Sequence, residues 1–361
     1  MSGFLGLIIA GGASGGTPPV TPSAYIAYGG STAAKRITVY GWDSTSGFGS
    51  AYTTPTIPAE IHQVSFVPDN SNFSASFWVA PYFYVWQWST LGFGTRYSDP
   101  GSPLNPASSG PAGYTWTKNV DALLAVNNTA ASYPQAWAWS GSGGFGSKYS
   151  NGSILTGTNG ARGITLNADS TLVGMQIYAS PWIALYPWSS STGYGTRYAN
   201  PTTLPNGLPP PEAGISFNKV TNDFVCGSNA LPFVFAYPVT SAGFGTKYAN
   251  PTTALASPVY SVKFSPDGAS VATVNNGSPA VNAYQWGAGF GTKYSNPAAL
   301  PTYGYSLDWS STTNAIATGQ KTASPYTSVF SWSSSGFGAK YADPGTLPGI
   351  AATVSFGNQS R

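Results

Sequence analysis

One six-residue phrase recurs seven times along this 361-residue chain, and any fold must accommodate it at every recurrence. It reads Gly-Phe-Gly-Ser-Ala-Tyr at 47–52, Gly-Phe-Gly-Thr-Arg-Tyr at 92–97 and Gly-Phe-Gly-Ser-Lys-Tyr at 144–149. It returns as Gly-Tyr-Gly-Thr-Arg-Tyr at 193–198, as Gly-Phe-Gly-Thr-Lys-Tyr at 243–248 and 289–294, and as Gly-Phe-Gly-Ala-Lys-Tyr at 336–341. The central aromatics, from Phe48 to Phe337, stand 45 to 52 residues apart. Periods of that size mark propeller blades or helical arrays. Helical arrays are excluded, because Gly and Pro punctuate every unit and β-branched and aromatic residues fill the apolar runs.

Each unit carries four short strand signals. In the sixth they are 259–264, 270–274, 281–286 and 292–295, with Ser265-Pro266-Asp267-Gly268 as the first turn. Four strands per unit is the pattern of a propeller blade. The chain enters at a second strand, 24–28, and leaves on an orphan first strand, 352–356. Pairing the two closes the ring and removes two open sheet edges. The expected fold is all-β: a seven-bladed β-propeller of four-stranded blades, closed by the C-terminal strand joining the N-terminal blade. The expected division is an apolar arm and linker over 1–22 and the propeller over 23–361.

The run Val-Tyr-Ser-Val-Lys-Phe-Ser-Pro-Asp-Gly at 259–268 resembles the start of a WD-repeat, and a Trp closes the third strand of most blades: Trp42, Trp88, Trp139, Trp188, Trp286 and Trp332. The Gly-His and Trp-Asp dipeptides of that family are mostly missing, so the resemblance is to its architecture. The Gly-Phe-Gly-x-Lys/Arg-Tyr-x-Asn/Asp-Pro repeat also resembles propeller proteins encoded by tailed bacteriophages. That resemblance implies a virion component.

Charged residues are only 7% of the chain, against about 25% in an ordinary domain. The net charge of +3 lacks the dense basic stripe of a nucleic-acid binder. The apolar run at 4–10 is far short of a membrane span. The single cysteine, Cys226, reads as a small buried hydrophobe.

Three groups of residues are candidates for contact with partners. The arm offers Phe4, Leu5, Leu7, Ile8 and Ile9 for docking onto other virion proteins. Six repeats place a cation at one position, Arg96, Lys148, Arg197, Lys247, Lys293 and Lys340, which the fold would set around one face as a docking ring or pair with nearby turn carboxylates. The turns between second and third strands carry Pro with a neighbouring aromatic, Tyr82, Tyr133, Trp182, Phe233 and Tyr326, forming a recognition face or folding inward. The hexapeptide itself reads as structural, its central aromatic tucked between blades.

Catalysis finds little support at this level. His62 is the only histidine, the eleven carboxylates are scattered, and no cofactor or metal set is visible. The expected function is a non-enzymatic structural or attachment component of a phage particle, present in multiple copies, located in the virion and displaying its propeller for protein or host-surface glycan contact. The alternative is a glycan-binding propeller lectin.

Overall fold

The computed structural model describes residues 22–30, 37–101, 111–127, 134–153, 160–207, 214–299, 301, 303–322 and 324–358. The arm residues Phe4, Leu5, Leu7, Ile8 and Ile9, and Tyr133, lie outside them.

The described residues form seven antiparallel blades and no helix. Strands are named a to d from the axis outward. Blade two shows the plan: a is Ile61–Phe66, b is Asn72–Phe77, c is Phe83–Ser89 and d is Gly92–Arg96. Strand b is buried along its whole length, because it is flanked within its sheet and covered on both faces by neighbouring blades. Strand d, which carries the hexapeptide, is the exposed edge. Its short length and polar residues blunt that edge.

Ring closure is as expected. The C-terminal strand Thr353–Asn358 pairs antiparallel with Ala24–Gly29, register Ile26 to Phe356, and supplies strand a of blade one. Blade five departs from the plan. Pro238 interrupts its third strand, which splits into Val234–Tyr237 and Val239–Thr240, so the blade reads as a three-stranded and a two-stranded piece. Proline has no N–H to give the ladder.

The core lies between blades. Seven apolar clusters each join two neighbours, for example Leu124 of blade three with Val173 of blade four, and Tyr25 of blade one with Phe73 of blade two.

The hexapeptide explains how those interfaces are sealed. Its central aromatic stacks edge-on against the Trp of its own blade, as in Trp88–Phe93 and Trp332–Phe337 with centroids 5.0 Å apart. It also packs against the apolar cluster between its own blade and the preceding one, as Phe93 does between blades one and two and Phe145 between blades two and three, which is the expected tuck. The closing Tyr seals the next interface. Tyr97 packs on Trp139 of the next blade at 4.8 Å, and Tyr341 packs on Trp42 across the seam at 4.8 Å. The hydroxyls of Tyr97, Tyr149 and Tyr341 donate to the carbonyls of Gly141, Ser190 and Ser44 in the next c–d turn.

The first Gly of each repeat makes room for that ring. Gly336 has φ +101°, and a Cβ there would lie 2.8 Å from Tyr294. Gly336→Ala therefore combines an unfavourable backbone angle with a steric clash. It is expected to cost about 1–3 kcal/mol, read as a lower urea midpoint at unchanged slope.

Candidate functional site

The seven a-strands surround an axial cavity of about 430 Å³. A strand alternates its side chains, yet the second residue of four a-strands breaks the alternation. The pairing of a with b slips by one residue between Ile61 and Gln63, Pro111 and Gly113, Ala161 and Gly163, and Val259 and Ser261. The extra residues are His62, Ala112, Arg162 and Tyr260. All but Tyr260 line the cavity directly, and such bulges re-aim side chains.

His62 and Arg162 thus stand at one mouth of the axis. Strand register puts this mouth on the b–c turn side, since Ile61 pairs with Phe77 at the end of strand b. Trp78, the first residue of that turn, meets the His62 ring edge-on at 4.5 Å. The Arg162 guanidinium lies 4.2 Å over the Tyr178 ring, and the Lys321 ammonium 4.2 Å over the Tyr305 ring. Tyr305 in turn packs on Tyr260 at 4.9 Å, and the Tyr260 hydroxyl accepts from Asn276 at 3.1 Å. Burial, then the charges of Arg162 and Lys321, push the His62 imidazolium down to a pKa of about 4, so the ring is neutral at pH 7. The same two positive charges that keep the imidazole neutral, and so weaken it as a base, make the spot one where negative charge is welcome.

The other end of the cavity is built from the residue just before the large apolar side chain near the end of each a-strand, such as Phe66, Phe217 or Trp309. Five blades supply hydroxyls there (Ser65, Thr115, Thr165, Ser216 and Ser355), and two supply Lys263 and Asp308. Lys263 and Asp308 form an ion pair of 3.1 Å. The other Asp308 oxygen accepts the backbone N–H of Phe356 at 2.8 Å, tying blade seven to the closing strand. Lys219 reaches in from the a–b turn of blade five and donates to the carbonyl of Leu166. Burial and the nearby Lys263 lower its pKa to about 8.

The residues singled out in the sequence lie elsewhere. The cations of the repeats sit on the outer strand or just after it and engage their own repeats: Arg96 pairs with Asp99 at 2.8 Å, Lys340 with Asp343 at 2.6 Å, Arg197 donates to Asn200 at 2.7 Å and Lys247 to Asn250 at 2.5 Å. Lys148 lies 5.5 Å from the Trp137 ring centre, and burial lowers the pKa of Lys293. The turn carboxylates offered as alternatives bond within their own a–b turns, as Asp69 does with Ser71 and Asp267 with Ser265. Tyr82, Trp182, Phe233 and Tyr326 each follow a cis proline with φ between +63° and +71°. They are half-buried, on the same face as the His62 mouth. Tyr82, Phe233 and Tyr326 pack against the interblade clusters. Cys226 is buried and its thiol is pushed well up by burial. Among the described residues no group of His, Cys, Asp or Glu is placed to hold a metal ion. Among them, too, no helix is long and apolar enough to cross a membrane.

The sequence reading passed over His62 as isolated and did not single out Arg162, Lys321, Lys219 or Lys263. A usable signal was present. When the a-strands are aligned, the second position holds His62, Ala112, Arg162, Tyr260, Tyr305 and Ala352. A column that varies inside otherwise faithful repeats marks a position released from the fold.

No protein-family model and no curated protein sequence matches the chain. Solved structures do. A candidate 6-phosphogluconolactonase from Bacteroides fragilis matches with a TM-score of 0.71 and 11% identity, over 94% of this chain and 99% of that one. The periplasmic gluconolactonase of Pseudomonas aeruginosa matches with a TM-score of 0.69 and 10% identity, over 93% and 99%. A second candidate 6-phosphogluconolactonase, from Bacteroides uniformis, gives 0.68 and 11% over 92% and 99%. At this identity the likeness establishes the fold, a seven-bladed propeller. It also corrects the expectation of a non-enzymatic phage-particle component or lectin located in the virion. These three neighbours are bacterial proteins named as lactonases, one of them periplasmic. The physical reason is that the hexapeptide carrying the phage resemblance is an interblade clasp, which reports on architecture rather than on a partner.

Proposed function

We propose that the chain hydrolyses a small lactone of a polyhydroxylated acid at the His62 mouth of the axis. The supporting observation is a neutral imidazole and a guanidinium, His62 and Arg162, at one opening of the axial cavity, with the charge of Lys321 close enough to act on the imidazole. The names of the structural neighbours favour the same chemistry.

In this reading His62 takes a proton from water as the water oxygen attacks the ring carbonyl. Arg162 and Lys321 offset the negative charge that develops on the carbonyl oxygen. The ring C–O bond then breaks, and the departing alkoxide takes the proton back from His62. The product is the open hydroxy acid.

The test follows acid release from glucono-δ-lactone and its 6-phosphate, with the spontaneous rate subtracted. His62→Asn is expected to lose on the order of a hundredfold or more in kcat, the usual span of general base catalysis. In the native chain the rate is expected to stay level through neutral pH and to fall only as the pH approaches about 4, where the imidazole is protonated. No hydrolysis above the spontaneous rate with either lactone, or an unchanged His62→Asn variant, would sink the proposal.

A further inference from the structure

The axial cavity has two ends, and only the His62 end enters the reaction above. Charge is unevenly balanced along it. Its described lining holds three cations, Arg162, Lys219 and Lys263, against one carboxylate, Asp308. At the far end that single carboxylate is already shared between Lys263 and the Phe356 N–H. Two ammonium groups therefore stand near one another with a single counter-charge between them. Both side chains remain open to water, Lys263 at 42% exposure, but the protein walls of the cavity focus the field of such an excess and draw in an anion. The neighbouring Thr115 and Thr165 present hydroxyls to the same space. Hydroxyl and ammonium donors around one point are the donor set of a tetrahedral oxyanion.

We propose that this far end is a second ligand site, which takes a free tetrahedral oxyanion of the size of inorganic phosphate between Lys219, Lys263, Thr115 and Thr165. Its position separates it from the lactone site by the length of the a-strands, since His62 opens its strand and the position of Ser65 lies near the end. The Lys219 ammonium turns from the Leu166 carbonyl toward the anion on binding. The Lys263–Asp308 pair stays in place, because Asp308 also holds the closing strand. The site needs no conformational change in the blades.

The experiment is calorimetric titration of the full-length chain with inorganic phosphate at constant ionic strength, with chloride as the control salt. It uses no lactone, so its failure and a failure of the hydrolase reading are separate observations. One site is expected in the native chain. Lys219→Met and Thr165→Val should each weaken it, the former on the order of tenfold or more, as fits loss of a charge-assisted donor. Arg162→Ala should leave the affinity within about twofold, which lies inside the 1.4 kcal/mol of a tenfold change. Circular dichroism checks that each variant is folded, and Thr165→Val serves as the second measurement if Lys219→Met is not. Three results overturn the proposal: no phosphate binding to the native chain, binding that survives both far-end substitutions, or binding lost equally in Arg162→Ala.

Discussion

Deleting residues 351–361 is expected to leave a chain that no longer folds into a stable monomer. The lost strand, Thr353–Asn358, pairs along one side with all six residues of Ala24–Gly29. It buries Val354 and Phe356 in the cluster between blades seven and one, where Phe356 meets Trp42 at 5.9 Å. Fully burying two such side chains contributes about 1.5–3 kcal/mol each. The deletion also leaves Asp308 without its Phe356 partner and exposes the whole length of Ala24–Gly29 as a bare edge. Since domains hold only about 5–15 kcal/mol in total, that loss approaches the full stability. Gel filtration should show aggregate or expanded chain, and the cooperative thermal transition should vanish. Moving residues 351–358 to a position ahead of Ser23, rather than deleting them, should restore both, because the pairing is then local. A deletion variant that melts cooperatively within a few degrees of the parent would show that the closing strand is dispensable.

Asp223 is the second position where a single change should be severe. It is buried at 4% exposure, and the donors to its carboxylate are neutral groups. Its oxygens accept from the Trp286 indole at 2.9 Å, the Tyr248 hydroxyl at 2.8 Å and the Thr221 hydroxyl at 2.6 Å. Trp286 and Tyr248 are the two rings that clasp blade five to blade six. Asp223→Leu strands both donors in an apolar interface, at about 1–3 kcal/mol for each unsatisfied group. The expected loss is about 3–5 kcal/mol, read from the urea midpoint. Asp223→Asn keeps one accepting oxygen and should lose roughly half as much by the same reckoning. Equal stability of Asp223→Leu and the parent would mean that the three bonds contribute nothing net.

The architecture was readable because it is written seven times. The glycines and rings of Gly-Phe-Gly-x-x-Tyr answer to local geometry that recurs at each interface, so period and strand signals carried blade number, strand number and closure together. Finer points failed where one copy obeys a rule of its own. Pro238 split a strand that the repeat said was whole. The axial site was hidden for a related reason. His62, Arg162, Lys219, Lys263 and Lys321 come from blades two, four, five, six and seven, each present once. A reading that looks for repetition sets such singletons aside. Their convergence depends on the ring bringing distant strands to one axis, and for His62 and Arg162 on a one-residue bulge that a strand pattern does not reveal.

The clasp between neighbours has a direction. Each closing Tyr reaches forward to the first Gly of the next repeat, and Tyr341 reaches forward again to Gly47, where the count restarts. A linear solenoid frays from its ends, and its stability adds up from repeat to repeat. A circuit of forward clasps has no ends to fray. A weakened clasp at any blade is held shut by the other six until the circuit opens as a whole. Substitutions in different repeats should therefore lower one shared melting transition rather than split it. New chain termini placed after Tyr149 or Tyr248 would move the seam without changing what holds it, as in a belt that can be buckled at any hole.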